Sequence, residues 1–349
     1  MKNTTIAVDV ATSVFEVAVS GEPGRVTERH RLSRARFARF IGERQPATMV
    51  FEACGSSHFW GRRAQAAGHE VVLVPPHTVR PYVPRNKTDR ADAKGLLEAF
   101  RNEDVRAVPV KSESQQAITA LHRLRSAWLA ERTARINTVR GLLREFGVVV
   151  PTGSHQLLPH LWSILEDAES GIPDMIRPAL AEAGEEIKEL ERRMKAIENQ
   201  LEVVSRQTPV VERLRTIPGI GLLSSTALVA FVGDIARFPS SRHFASYLGL
   251  TPRESSSGLR RRLGAISKRG DTYLRMLLIH GARTVIWHGK KLATPDRLRA
   301  WALKLERERG HNRAAVATAN KLARLAWAVW KTGKDFTEGL EPGPIPEAK

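Results

Sequence analysis

Four carboxylates in the first third of the chain fall where a fold could gather them. Asp9 ends the apolar run IAVD, and Glu52 directly follows the run TMVF. Asp89 and Asp92 stand three residues apart near the start of a predicted helix, which turns both the same way. Taken singly, an aspartate at a strand end is an ordinary turn residue, and one at a helix start is an ordinary partner of the helix dipole. Glu52 is less ordinary, because a carboxylate set against buried apolar residues is costly without a partner. If the strands bearing Asp9 and Glu52 were neighbours, both acids would meet at one edge of a sheet, where the helix could deliver the other two. Four such groups repel one another unless a hard cation such as Mg²⁺ compensates them. Two ions roughly 3.5–4 Å apart can clamp the attacking and leaving oxygens of a phosphodiester.

The surrounding pattern supplies elements able to position these acids. Residues 1–110 alternate β and α. Strands are predicted over Thr5–Val10, Val14–Val19, Arg25–Leu32, Thr48–Phe51 and Val71–Val74, the last closed by Pro75 and Pro76. Helices are predicted from a Ser33 cap to Glu43, over Ser57–Ala67 stopping at Gly68, and from about Thr88 to Phe100. The order β-β-β-α-β-α-β-α implies a mixed sheet, and no GxGxxG follows the first strand, which sets the chain apart from dinucleotide-binding folds.

Residues 111–207 read as helical. Leu180, Ile187, Leu190, Met194, Ile197, Leu201 and Val204 step by 3, 4 or 7, a coiled-coil seam. A first helix carries Ile118, Leu121, Trp128, Ile136, Val139, Leu143 and Phe146, and a linker with Pro151, Pro159, Gly171 and Pro173 joins the two. The pair is either a spacer hairpin or a dimerisation arm whose seam closes on a second copy. Residues 208–335 form a third, mostly helical region, and 336–349 a loose tail.

Composition narrows the function. Of 349 residues, 42% are hydrophobic and 26% charged, ordinary for a globular chain. Lys and Arg number 55 against 37 Asp and Glu, a net charge of +18 that predicts a polyanionic partner, nucleic acid ahead of a membrane surface. Residues 251–330 hold 18 Lys and Arg and 5 Asp and Glu, so this stretch alone carries +13. A single cysteine, Cys54, excludes a disulfide framework and a cysteine-built zinc site. The N-terminal run carries acids inside its apolar stretch, unlike a signal peptide, and no stretch is long and apolar enough for a membrane span, so a cytoplasmic setting is expected, nucleoid-associated when active.

Ile217-Pro218-Gly219-Ile220-Gly221 reads as a turn between helices, either a plain connection or one whose glycines let backbone N–H groups approach a phosphate. Ser255, Ser256 and Ser257 precede Gly258 and the run Arg260-Arg261-Arg262, a flexible basic loop. Arg253, Lys268, Arg269 and Arg275 join that run as candidate phosphate contacts, and Arg283, Lys290, Lys291, Arg313, Lys321 and Arg324 could extend a positive face. The helical His280 reads as a helix-face residue, and Trp287, Trp301, Trp327 and Trp330 as core.

IAVDVATSVFEV, VFEACGSSHFW and RNKTDRADAKGLLEAF resemble three N-terminal blocks of the DEDD transposases of bacterial insertion sequences, a family that includes pilin-gene-inverting recombinases. RTIPGIGLLSSTAL and FASYLGLTPRESSSGLRRRLGAISKRGDTYLRMLLIHGAR resemble its C-terminal blocks, in the same order, from about residue 4 to residue 335. One departure is Thr12, where many relatives carry Lys. The resemblance implies an RNase-H-like (RuvC-like) catalytic domain over 1–110, a coiled-coil dimerisation region over 111–207, and a C-terminal domain over 208–335 with a helix-hairpin-helix and a catalytic serine. It implies that Asp9, Glu52, Asp89 and Asp92 hold Mg²⁺, two ions for which Mn²⁺ can substitute, and that Ser257 is the nucleophile forming a transient phosphoserine link to DNA. The partners it implies are donor and target double-stranded DNA and a structured bridge RNA. Further copies of the chain are expected as a dimer or tetramer, and because the seam offers a way to hold copies side by side, the acids and the serine of one reaction are expected to come from different protomers. Two other readings of the residues stay open: a Holliday-junction-resolvase-like nuclease that uses water, and a non-catalytic DNA-binding regulator.

Overall fold

The computed structural model describes residues 4–22, 25–83, 89–258 and 260–337, with residues 89 and 90 described through their backbone alone. The chain divides into two compact units, 1–114 and 115–349. The sequence-expected regions 111–207 and 208–335 therefore fall in one unit, apart from its first four residues. The start of the helix expected at Thr88 and the end of the expected tail lie outside the described residues.

The first unit is built on β1 (Thr5–Val10), β2 (Val14–Ser20), β3 (Glu28–Ser33), α1 (Arg34–Glu43), β4 (Thr48–Glu52), α2 (Ser57–Ala66), β5 (Glu70–Val74), the short α3 (Pro76–Val79) and α4 (Asp89–Arg101). The sheet order is β3-β2-β1-β4-β5. β1–β2 and β2–β3 are antiparallel, while β1–β4 and β4–β5 are parallel. Parallel pairs need crossovers, and the apolar runs at both positions mark strands buried on two faces. One face packs Phe15, Phe51, Phe37 and Trp60, with Phe15 stacked on Phe37 at 4.7 Å between centroids and Trp60 edge-on to Phe15 at 5.0 Å. The other face packs Ala7, Ala18 and Val50 against Ala93, Leu96 and Leu97 of α4. Ala7 and Ala18 are paired in register, so two small side chains lie side by side beneath the helix. This five-stranded mixed sheet is compatible with an RNase-H-like domain, and its strands match the expected ones to within three residues at either end. Ser33 caps α1 as expected, its hydroxyl accepting from the Arg36 N–H at 3.4 Å.

The second unit begins with α5 (Glu113–Glu145), α6 (Leu157–Glu166) and α7 (Arg177–Gln207). Ion pairs Arg125–Glu198, Arg132–Glu191 and Arg135–Glu186 run in opposite sequence directions, which makes α5 and α7 an antiparallel hairpin. The segment expected as a plain linker folds as α6, because Leu157 and Leu161 can be buried against α5 and α7. The seam of α7 is likewise closed within the chain: Leu180 and Ile187 join the α5–α6 cluster, Ile197 and Leu201 pack with Ile118 and Ala230, and Leu190 and Met194 are buried. The expectation that this seam docks a second copy is corrected on that ground, since its apolar side is already covered.

α8 (Pro209–Arg215), α9 (Leu222–Val232), α10 (Ser241–Tyr247), the ribbon β6 (Pro252–Glu254) and β7 (Leu263–Ile266), α11 (Thr272–Gly289), α12 (Arg297–Arg309) and α13 (His311–Thr332) complete the unit. α9 has no charged residue, and seven of its eleven residues are buried, as suits an interior helix. The turn between α8 and α9 packs on α11. A Cβ on Gly219 would come within 2.7 Å of the Gly281 carbonyl oxygen, and one on Gly281 within 2.0 Å of the Gly219 oxygen. Two glycines are needed where two backbones touch.

His122 of α5 is fully buried inside this unit. Its Nε2 lies 3.0 Å from Thr226 Oγ1 and its Nδ1 2.9 Å from the Tyr273 hydroxyl. Thr226 donates its own proton to the Leu222 carbonyl, so it accepts from Nε2–H, and Tyr273 donates to Nδ1. Burial first, and the charge of Arg125 second, push the imidazole pKa down to about 4. The neutral ring is therefore the folded form. Its full contribution is present above the unfolded pKa near 6.5 and is lost as pH falls toward about 4, a change of up to about 3 kcal/mol. Urea unfolding of the chain and of His122→Gln at pH 7 and pH 4 checks this. The stability gap between them should shrink on acidification, and parallel pH profiles would contradict the assignment.

Candidate active site

The register of the first sheet decides where the acids fall. Val8 pairs with Phe51 across the parallel β1–β4 ladder, so the next residues, Asp9 and Glu52, sit side by side at the ends of these strands. Side chains alternate along a strand. Ala7 and Val50 face α4, so Asp9 and Glu52, two residues further on, share that face. Both are half-buried.

α4 runs antiparallel to β1. Arg101, at its C-terminal end, donates to Ser20 Oγ at 2.9 Å, and Ser20 is the register partner of Thr5 at the start of β1. The first turn of α4 therefore lies toward the strand ends that carry Asp9 and Glu52. Positions 89 and 92 precede the sheet-facing Ala93 and Leu96 by four residues, and so continue the same stripe. Asp92 is half-buried there, whereas the Asp89 side chain is outside the described set. Cys54 registers the local charge: burial raises its thiol pKa first, and the carboxylates of Glu52 and Asp9 raise it further. Among the described residues, no three His, Cys, Asp or Glu side chains are gathered as a metal-holding group. The arrangement is two neighbouring acids, a third on the helix above, and the backbone position of a fourth.

Ser257 sits at the tip of the β6–β7 ribbon. Its N–H donates to the Arg260 carbonyl at 3.3 Å, and the Arg260 N–H donates back at 3.1 Å. Gly258 takes φ +56°, a left-handed turn conformation that suits glycine. Ser256 is used structurally, donating to Glu254 at 2.7 Å and accepting the Arg262 N–H at 3.2 Å. Glu254 also pairs with Arg261 at 3.3 Å, and its pKa is lowered by the Ser256 hydroxyl first and by Arg261 after it. Ser257 itself is exposed, as are Arg253, Arg260 and Arg262.

The other expected contacts divide. Lys268 and Arg269 are exposed on the turn after β7. Arg275 is not: it is 7% exposed, and its guanidinium donates to the Leu248 and Arg269 carbonyls at 3.2 and 3.3 Å. It is corrected from a phosphate contact to a clasp holding the Lys268–Arg269 turn. Gly219 is claimed by its approach to α11, while Gly221 has open space around its Cα and stands at the N-cap of α9, after Pro218. Lys290 is paired with Glu306 at 2.9 Å. Trp287, expected in the core, is 53% exposed beneath the Lys291 ammonium, 3.4 Å from its ring centroid. Arg309, which the sequence reading passed over, lines a groove with Arg313, Lys321 and Arg324. Its signal was present, since it closes a basic last helical turn.

Comparison with known proteins gives the relatives of the chain. A DEDD transposase model of the IS110 group matches residues 6–148, and a model for the IS116/IS110/IS902 transposase family matches residues 211–296. The chain is 40% identical to a probable family 20 transposase of Pseudomonas aeruginosa, over 94% of this chain and 97% of that one. It is 36% identical to the transposase for insertion sequence element IS1111A of Coxiella burnetii, over 93% and 88%. A pilin gene-inverting protein of Moraxella bovis is 24% identical over 84% and 82%.

The placement of the acids can be checked through the single thiol. Removing one neighbouring negative charge should lower the Cys54 pKa, so Glu52→Gln should be alkylated faster by iodoacetamide than the parent chain at any pH below that pKa. An unchanged rate profile would mean that Glu52 does not face Cys54.

Proposed function

The chain belongs to the IS116/IS110/IS902 transposase family, and on that premise we propose that it cuts and rejoins DNA through Ser257 with divalent ions held by Asp9, Glu52, Asp89 and Asp92. Membership makes it a DNA-acting enzyme. The observation that carries the finer reading is the register that sets Asp9 beside Glu52 on the α4 face of the sheet.

The donor set suits a hard divalent cation: it consists of carboxylate oxygens, two of them set side by side by the β1–β4 register. When bound, such ions supply charge neutralisation at the phosphate and at the oxygens entering and leaving it. The remaining chemistry belongs to side chains. The Ser257 Oγ attacks the phosphorus, forming a P–Oγ bond while the P–O bond to one DNA end breaks. The departing end leaves as a hydroxyl, having taken up the serine proton directly or by relay through water. A hydroxyl is a weak nucleophile until its developing charge is stabilised, and the exposed guanidiniums of Arg260 and Arg262 on the same tip can provide that. Phosphorus remains esterified throughout, so attack by another DNA hydroxyl reverses the step and releases Ser257 unchanged.

The reading includes a bridge RNA and more than one copy of the chain. The +13 carried by residues 251–330 supports a polyanionic partner and is equally suited to RNA and DNA. Oligomerisation would use a surface other than the α7 seam. No helix among the described residues is long and apolar enough to cross a membrane.

Incubation with element-end DNA and Mg²⁺, followed by denaturing electrophoresis, tests the serine step. The parent chain should give a protein–DNA adduct. Ser257→Ala should give none while keeping the Mg²⁺-dependent rise in thermal midpoint, and Asp9→Asn should lose both. Strand cutting that persists undiminished in Ser257→Ala would replace the serine mechanism with hydrolysis by water.

A further inference from the structure

One cationic cluster of the first unit has no role in the chemistry just described. Arg34 opens α1, and its guanidinium stands 5.5 Å from the Phe59 ring centroid and 5.0 Å from that of Trp60. Arg63, on α2, stands 5.9 and 5.8 Å from the same two rings. Two helices thus bring two charges to one aromatic pair. Both arginines are exposed, and among the described residues neither guanidinium forms an ion pair with a carboxylate. Like charges held together repel, and an anion between them turns the interaction favourable. The first turn of α1 also lacks an acid and carries Arg34 and Arg36, where the helix dipole favours negative charge. The place of the cluster follows from the register. β1 ends at Val10, β2 starts at Val14, and Val14 pairs with Ser33 at the end of β3. α1 therefore starts at the sheet end that carries Asp9 and Glu52, and α2 starts there too, soon after Glu52. The acids face α4, whereas Phe37 of α1 and Trp60 of α2 pack on the opposite face. Cluster and acids flank one end of the sheet.

We propose that Arg34 and Arg63 grip the backbone of duplex DNA beside the phosphate that the acids address. A guanidinium presents a planar fork of N–H donors that matches a phosphate, and stacking on a ring steadies the fork without using its donors. Trp60 is buried in the core, and Phe59 lies against both guanidiniums. The cluster therefore offers phosphate donors rather than an open platform for unpaired bases, which suits a paired strand whose bases are hidden. Its occupant is DNA because the same sheet end carries the acids assigned to the DNA that is cut. Contacts of this kind set the position of the duplex and carry no sequence preference. The inference rests on that reading of the acids, and it requires neither Ser257 nor a bound ion.

Fluorescence anisotropy of the full chain on a labelled DNA duplex, in EDTA and across a salt series, tests the charge. Arg34→Gln/Arg63→Gln should weaken binding about tenfold and make the log–log salt dependence shallower by about 1.8, about 0.9 for each lost phosphate contact. Arg34→Lys/Arg63→Lys keeps both charges and should keep the parent slope. An unchanged slope in the glutamine chain would overturn the proposal. So would an equally shallow slope in the lysine chain, which would assign the loss to packing on the two rings. A tethered iron chelate tests the occupant. Ala35 is exposed next to Arg34, so Ala35→Cys in a Cys54→Ser background can carry the chelate. In a complex with element-end DNA and any RNA that co-purifies, radical cleavage should fall on the DNA. Cleavage confined to the RNA, or absent from both, would overturn the proposal. A chain that passes both tests and forms no Ser257 adduct would fail the serine chemistry alone. One that forms the adduct and shows no change of slope would fail this inference alone.

Discussion

The parallel pairing of β1 with β4 is the constraint on which the candidate metal site depends. Each strand contributes one acid, and a shift of register by a single residue would send one of them to the opposite face. The aromatic cluster under the sheet resists such a shift. Phe15 and Phe51 lie on the face opposite Ala7 and Val50, and both are fully buried among Phe37 and Trp60. Slipping β4 by one position would drive Phe51 into the space beneath α4, where Ala7 and Ala18 leave room for a helix but not for a ring. The packing of large residues on one side and small ones on the other thus specifies where Asp9 and Glu52 point, although neither acid takes part in it.

Much of this first unit was legible because its signals are local. TMVF and VVLV are short apolar runs bounded by turn signals, which reads as strands, and Ser33 before an amphipathic run is a capping signal. The adjacency of β1 and β4 was readable only as one option for a mixed sheet, since strand order depends on contacts between distant residues. α3 escaped notice because it is a single turn started by Pro76. The family resemblance, rather than any pattern of spacing, singled out Ser257 from its two serine neighbours. The structure adds a physical distinction among them: Ser256 is occupied by Glu254 and the Arg262 N–H, and Ser257 is exposed at the turn.

The second unit was harder to read because its decisive contacts are long-range. The heptad seam of α7 was visible, but its partner was not. The cover comes from α5, which returns antiparallel, and from α6, hidden in a stretch whose prolines and glycines suggested a loop. Pro159 is tolerated because it falls in the first turn of α6, where its missing N–H is not needed by the helix. Gly219 and Gly281 lie 62 residues apart, and only the fold shows that each is small for the sake of the other. A glycine in a helix-turn-helix therefore has two physical explanations, and here packing already accounts for one of the two turn glycines.

The distribution of charge follows from what neighbouring charges do to each other. Where an acid and a base meet on this protein they pair: Glu254 with Arg261, Glu306 with Lys290, and Glu198 with Arg125. A paired cation has less field to offer a phosphate, and a paired carboxylate has fewer oxygens to offer a metal ion. Residues 251–330 carry their +13 in the second unit. Asp9 and Glu52 belong to the first, on strands whose remaining residues are almost all apolar. In the reading proposed above, the carboxylates would serve divalent ions and the cations of residues 251–330 would serve phosphates, and the two sets belong to different parts of the chain.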